Sequence, residues 1–419
     1  MRQASLIYAY FSFIFFALEA AILASALRLV FGIPVSVGYL IASLAIIPMV
    51  IHGFSRISAF QALTQPAWIA LHLLPFALIA LSGQDLPDWT GFQGLDGGAT
   101  PGILAFGAAS GVVLALIAQV GEQVDFLRFL PEPHGRREKW RWWGAVILAG
   151  PGWAVLGTVK MLLGSWLITL VPPEAIDLDL THAIDPTLLY HKAFSMALPD
   201  PVLALVLTGV FVILSQLKIN VTNAYAGSIA WSNFFSRITH AHPGRVVWLV
   251  FNVAIALLLM ELGVFAALET TLSIYSHVAL GWIGALFADL TINKPLGLSP
   301  RGIEFRRAHL HDVNPVGIGA MGGGAGIAFL AHAGLFGPEA QALSPFIALV
   351  GSITLAPLIA WATGGRFYIA RPPVVMTADL VECCLCDYRF DREDMTHCPF
   401  YAAPICSLCC SLNASCGDA

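Results

Sequence analysis

Apolar residues run along this chain in ten long stretches separated by short polar breaks, near 6–31, 34–53, 65–82, 101–124, 143–171, 199–230, 246–267, 270–290, 314–335 and 343–365. About 20 apolar residues in helical form cross the hydrocarbon core of a bilayer, so each stretch predicts one span. The sixth is too long for a single straight crossing, which predicts a helix that continues past the membrane. Beyond residue 370 the pattern changes and cysteines replace the apolar runs. The chain therefore divides into a transmembrane domain over 1–370 and a small Cys-rich tail over 376–419.

Composition agrees with this division. Apolar residues make up 58% of the chain and charged residues only 11%, where a soluble domain carries about 25% charged residues. The mean hydropathy is +0.77. A net charge of −5 without a long basic run gives nucleic acid no footing and leaves the lipid bilayer as the obligatory partner. The opening lacks a small-residue cleavage site and runs straight into an apolar span, which predicts a retained helix rather than a secretory signal.

Charge also sets the orientation. Short loops on the cytoplasmic side collect Lys and Arg. The 125–142 loop holds Arg128, Arg136, Arg137, Lys139 and Arg141, and later loops of the same parity hold Arg237, Arg245, Lys294, Arg301, Arg306 and Arg307. The opposite loop at 83–100 has Asp85, Asp88 and Asp96 and no basic residue. Both the N-terminus and the tail are thus expected in the cytoplasm.

Polar side chains inside spans are costly and face cavities or partners. Phe15 and Glu19 share one face of the first span at i and i+4. There an aromatic can stack on a planar ring while a carboxylate accepts its N–H groups. The alternative is a Glu paired with Lys160 or Lys218. Gln119 is the deepest of several polar residues closing the fourth span, where Gly107, Gly111 and Gly121 permit either a broken helix or close helix packing. The sixth span carries Gln216, Lys218, Asn220, Thr222, Asn223 and Ser228 and must line a cavity or sit mid-bundle. Asn220 and Asn223 put two amides on one face, suited to the edge of a small nitrogenous ring, and Lys218 offers a fixed positive charge; interhelical hydrogen bonding alone is the competing reading. The run Gly317–Gly322 fits G-x-G-x-x-G, but no strand precedes it, so helix packing explains it better than a dinucleotide.

All eight cysteines lie between Cys383 and Cys416. Cys383-x2-Cys386 and Cys406-x2-Cys409 are two knuckles at a spacing that reads as a structural zinc site. Cys398, Cys410 and Cys416 remain for a second site, with Cys384 or His397 as a further candidate. A redox dithiol or an iron–sulfur site are the alternatives. No thiol has a catalytic base at recognisable spacing, so no enzymatic role is expected.

These residues carry a resemblance. Lys218-Ile-Asn-Val-Thr-Asn-Ala-Tyr-Ala-Gly-Ser-Ile-Ala-Trp-Ser-Asn233 resembles the eighth helix of the purine–cytosine permeases, the nucleobase–cation symporters. Gly281–Asp289 with Ile292-Asn-Lys-Pro-Leu resembles the tenth helix and its exit, and Asp125-Phe-Leu-Arg128 resembles the close of the sixth. Phe15-Phe-Ala-Leu-Glu19 sits where the family's third helix holds the nucleobase. The wording of Ser5–Ala21 and of the tail resembles a subgroup fused to sensor histidine kinases. The resemblance implies an all-α polytopic membrane protein with a leucine-transporter-like helical bundle, ten of the family's twelve spans being present. It also implies a bacterial-type inner membrane and substrate contacts from Phe15, Glu19, Gln119, Asn220, Asn223 and Lys218. If the sixth span is the family's eighth, the chain starts at the third helix and is expected to be a fragment, lacking the broken first helix and any downstream kinase. Leu217 and Lys218 stand where sodium-coupled members place small hydroxyl residues, so sodium coupling is not expected. Three functions compete: a nucleobase-type permease, the sensory input module of a membrane kinase, and a truncated remnant.

Overall fold

The computed structural model describes residues 2–83, 88–91, 102–127, 130–171, 184–263, 267–311, 313–372 and 376–413. The first helices are α1 (Arg2–Phe31), α2 (Val35–Ile51) and α3 (Phe54–Ser82). Then follow α4 (Ile103–Ala115), a 3-10 turn over Leu116–Gln119, α5 (Val120–Leu127), α6 (Arg136–Ala149), α7 (Trp153–Ile168) and α8 (Pro186–Ala197). The remaining bundle helices are α9 (Pro201–Thr239), α10 (Arg245–Glu261), α11 (Leu268–Ala288), α12 (Pro315–His332), α13 (Pro338–Ala342) and α14 (Ser344–Ala362). Among the described residues, seven helical segments are long and apolar enough to cross a membrane, and Val35–Ile51 and Ile103–Gln119 are shorter apolar helices. Such helices satisfy every internal N–H and C=O group without water, as a lipid surround requires.

Three helices begin the same way. Asp185, Asp200 and Asn314 each stand before a proline and accept a hydrogen bond from the backbone N–H two residues on, at 2.8, 2.9 and 2.9 Å. The cap side chain satisfies an orphan N–H, and the proline at the first helical position gives none up. The expected ten stretches all fall on helices, with some different boundaries. The third helix begins at Phe54 rather than 65. The 143–171 stretch is interrupted at Gly150–Gly152, which separates α6 from α7. The 101–124 stretch is interrupted by the 3-10 turn.

α1 is the hub. It is apolar all round, as befits a helix enclosed by others, and Phe11, Ile14 and Phe16 are fully buried. It packs against α9, α2 and α10, while α11, α12 and α14 form a second group with α4. Within that group α12 and α14 nearly touch. A Cβ on Gly324 would lie 2.7 Å from both the Ala348 carbonyl oxygen and the Ser352 amide nitrogen. Gly324→Leu should therefore force the two helices apart at a cost of about 1–3 kcal/mol or more. A drop in the unfolding midpoint in detergent checks this, and an unchanged midpoint would contradict the close approach.

The tail departs from the all-α pattern. β1 (Leu380–Glu382) pairs antiparallel with β2 (Arg389–Asp391), β3 (Met395–Cys398) pairs with β4 (Ala403–Cys406), and α15 (Ser407–Leu412) follows. The loop of the first hairpin, the end of β4 and the start of α15 together bring Cys383, Cys386, Cys406 and Cys409 close to one another.

The tail rests on the bundle. His309 Nε2 meets Thr396 Oγ1 at 2.8 Å, Arg306 donates to the Met395 carbonyl oxygen at 3.2 Å, and His240 Nδ1 lies 3.1 Å from the Ser411 carbonyl oxygen. Glu304 organises this contact, bonding to Arg306 at 2.7 Å and to His309 at 3.0 Å. Burial alone would raise the Glu304 pKa. The hydrogen bonds from Arg306 and His309 outweigh it and hold the carboxyl at about 2, against an ordinary 4.5. A carboxyl depressed in the folded state contributes stability above its unfolded pKa and loses it as pH falls through the folded one. Tail docking should thus be unchanged down to about pH 4.5 and weaken between there and pH 2. Amide exchange of 395–398 reads this out; weakening already near neutral pH would contradict it.

Candidate functional site

The polar residues of α9 separate by helix geometry. At about 100° per residue, Gln216, Asn220 and Asn223 fall on one face, while Lys218 lies roughly 200° round from Gln216. The first face meets α1. Asn220 is fully buried and donates from Nδ2 to the Phe16 carbonyl oxygen at 3.4 Å, and Asn223 donates from Nδ2 to Asn220 Oδ1 at 3.3 Å. One turn along the same seam, in the amide orientation that satisfies both partners, Gln216 donates to the Glu19 carboxylate and, at 3.3 Å, to the Glu19 carbonyl oxygen. Lys160 on α7 is near enough to act electrostatically on Glu19. Phe15 is buried in the same α1 core, its ring 4.3 Å from that of Phe11.

Lys218 turns the other way. It is buried and donates to the Gln61 carbonyl oxygen and to Thr64 Oγ1, both at 3.0 Å, while Gln61 Nε2 returns a bond to the Lys218 carbonyl oxygen at 2.6 Å. Its ammonium fastens α9 to α3 and lies off the α1 seam, apart from the Asn220–Asn223 face with which the sequence grouped it.

Gln119 is also set apart. The turn that carries it approaches the start of α1: a Cβ on Gly121 would lie 3.2 Å from the Trp282 ring and 3.4 Å from that of Tyr8. Tyr8 precedes Glu19 by eleven residues, or about 16 Å along a helix at 1.5 Å per residue. The structure thus brings Glu19, Asn220 and Asn223 together along one seam with Phe15 one turn from Glu19 on α1, sets Lys218 on another face of α9, and carries Gln119 on a separate turn. Gln216 joins the seam as well, at the i, i+4, i+7 spacing of Gln216, Asn220 and Asn223.

The second constellation is in the tail. The Sγ atoms of Cys383, Cys386, Cys406 and Cys409 all lie within 4.8 Å of one another and could hold a metal ion. Backbone N–H groups already point at sulfur, Cys406 N to Cys383 Sγ at 3.3 Å and Cys409 N to Cys406 Sγ at 3.4 Å. Burial raises the Cys383 pKa, but backbone bonds from Cys406, Leu385 and Cys386 outweigh it and lower the thiol to about 6. Burial and hydrogen bonding to Cys406 and Cys386 push Cys409 up. Four clustered thiols with N–H donors aimed at their sulfurs fit a soft divalent cation, which as thiolates they would bind. Cys398 and Cys410 lie outside this group, although both belong to the same small core. Cys416, expected as a ligand, lies outside the described residues.

A helical bundle with a polar seam and, among the described residues, seven helical segments long and apolar enough to cross a membrane has a leucine-transporter-like fold. Among solved structures it is similar to that of Mhp1, a nucleobase-cation-symport-1 family transporter, in a closed conformation with bromovinylhydantoin bound. The TM-score is 0.56 over 87% of this chain and 78% of that one, at 17% identity. At that identity the likeness establishes the fold. No family model matches the sequence, and no curated protein matches it.

Proposed function

We propose that this chain is a permease-like membrane module that binds a small, nucleobase-like nitrogenous ring at the seam between α1 and α9. The observation that carries this reading is the buried amide pair Asn220–Asn223 aligned with Gln216 and Glu19 on one seam, beside Phe15. Amides and a carboxylate offer the alternating donors and acceptors that such a ring presents, and an adjacent aromatic offers it a face. The hydantoin named for Mhp1 is a ring of this kind. Neither Leu217 nor Lys218 supplies a cation ligand, and the Lys218 ammonium already has two oxygen partners, so binding is independent of sodium. The four-cysteine centre takes one structural zinc, and no residue is assigned a catalytic role. The basic loops support a cytoplasmic tail and N-terminus, and the permease resemblance supports a bacterial-type inner membrane.

A second reading has its own support. The tail contacts the end of the same helix that carries the amide pair, through His240 and Ser411, an arrangement suited to a sensory input module that reports occupancy to a kinase rather than moving its ligand. Purified full chain in nanodiscs should bind a labelled pyrimidine, purine or hydantoin saturably, with the same affinity with and without sodium. Absence of saturable binding for all three classes sinks the reading, and affinity that climbs with sodium sinks its uncoupled form. Uptake into proteoliposomes then separates transport from sensing.

A further inference from the structure

A cavity of about 420 Å³ opens where the bundle meets the segment leading to the tail. It lies away from the α1–α9 seam, between the end of α11, the 300–311 loop, the start of α12 and residues 367–369. Its volume is in the range of small-molecule sites, which are apolar with a few placed polar groups. Most of its wall fits that description.

The polar wall is built around Asp289. α11 leaves its regular path here in a π-helical turn over Asp289–Asn293, closed by the Lys294 N–H to the Asp289 carbonyl oxygen at 3.0 Å. Single π turns of this kind are frequent at functional sites. Tyr368 donates its hydroxyl to Asp289 Oδ1 at 2.8 Å and receives a bond from the buried Asn293 at 3.2 Å, which fixes the carboxylate at the cavity wall. Among the described residues no cation pairs with Asp289. Lys294, Glu304 and His311 also line the cavity, each with its own partner. Lys294 is held by the carbonyl oxygens of Pro300 and Gly302 at 2.5 and 2.7 Å, and Glu304 is shared between Arg306 and His309. His311 packs its ring near that of Phe367, 5.8 Å away. Trp282 lies seven residues before Asp289 on the same helix face and lines the cavity with Tyr368 and Phe367.

A carboxylate with no ion-pair partner among the described residues, beside aromatic faces in a mostly apolar cavity, is chemistry that recognises an organic ammonium. We propose that this cavity binds a primary ammonium carried on an apolar or aromatic body. Such a group comes from a soluble amine or from the headgroup of an aminophospholipid, since the site lies at one end of the spanning helices.

The test uses the full chain in phosphatidylcholine nanodiscs, with tryptamine as the cationic probe and 3-methylindole as its neutral counterpart, followed by calorimetry. Tryptamine should bind saturably and 3-methylindole at least tenfold more weakly. Asp289→Asn should weaken tryptamine at least tenfold. Gly317 lines the cavity, and a Cβ there meets nothing within 4 Å. Gly317→Leu should therefore fill the space, and abolish binding, without disturbing α12. Asn223→Ala, at the other site, should leave tryptamine binding unchanged, and amide exchange over 302–311 and 367–371 should slow on binding. Equal affinity for the neutral probe, wild-type binding by both cavity variants, or loss in Asn223→Ala would overturn the proposal. Nanodiscs containing phosphatidylethanolamine separate the two sources: lowered apparent tryptamine affinity assigns the site to the lipid headgroup, and unchanged affinity assigns it to a soluble amine.

Discussion

Asn223→Ala should cost the α1–α9 seam about tenfold in affinity for a nucleobase-like ring. The substitution removes the amide proposed to face the ligand; a lost hydrogen bond costs about 0.5–1.5 kcal/mol, and each 1.4 kcal/mol is tenfold in affinity. It also leaves Asn220 Oδ1 without its donor in a fully buried position, a cost of about 1–3 kcal/mol that falls on stability in the free and bound states alike. Lys218→Ala is the informative contrast. That side chain fastens α9 to α3 through Gln61 and Thr64, so its removal should lower the unfolding midpoint and change ligand affinity little. Equilibrium binding and thermal unfolding on both variants check the pair. If Lys218→Ala lost affinity as Asn223→Ala does, the division of α9 into a ligand face and a fastening face would be wrong.

The second large effect concerns the tail. Cys406→Ser should release a metal bound at one ion per chain and unravel both hairpins. Cys406 accepts from the Cys409 N–H and donates its own N–H to Cys383 Sγ, so it links the two knuckles. A structural zinc contributes about 10–16 kcal/mol of apparent binding energy, more than a core as small as Cys383, Met395, Cys398, Ile405 and Cys406 supplies unaided. Metal analysis should fall to zero, and exchange protection over 395–406 should vanish while α1 and α9 keep theirs. Cys384→Ser, at an exposed thiol, should leave both intact. A variant that keeps full tail protection without metal would show that the thiol cluster is not a structural centre.

The spans were legible because a lipid-exposed helix has to be apolar for its whole length, a constraint that leaves a continuous mark on the sequence. The break between α6 and α7 was not, because Gly150–Gly152 interrupts a stretch whose flanks are apolar, whereas the glycines of the fourth span already allowed for the 3-10 turn after α4. In the site, Asn220 and Asn223 were readable from spacing, and so was the real position of Lys218: two residues from Asn220, it is far round the helix. Its charge drew it toward the ligand, but burial and two oxygen acceptors on α3 decided its place. In the tail, the knuckle spacing identified the four clustered thiols, whereas Cys398 and Cys410 belong to the same small core but lie outside the cluster. The docking of tail on bundle left no local trace, because His309 and Thr396 are 87 residues apart.

The 39 residues of α9 extend about 58 Å at 1.5 Å per residue, nearly twice the ~30 Å of a hydrocarbon core. From Asn223 to His240 the arm measures about 25 Å. Pivoting at Asn223 by about 10° sweeps the far end through ~4 Å, a displacement larger than the whole span of a hydrogen bond. The grip of His240 on Ser411 is 3.1 Å long, so it cannot stretch to follow such a swing. A tilt of α9 at mid-membrane would therefore have to break this contact, because the contact cannot lengthen to absorb the swing.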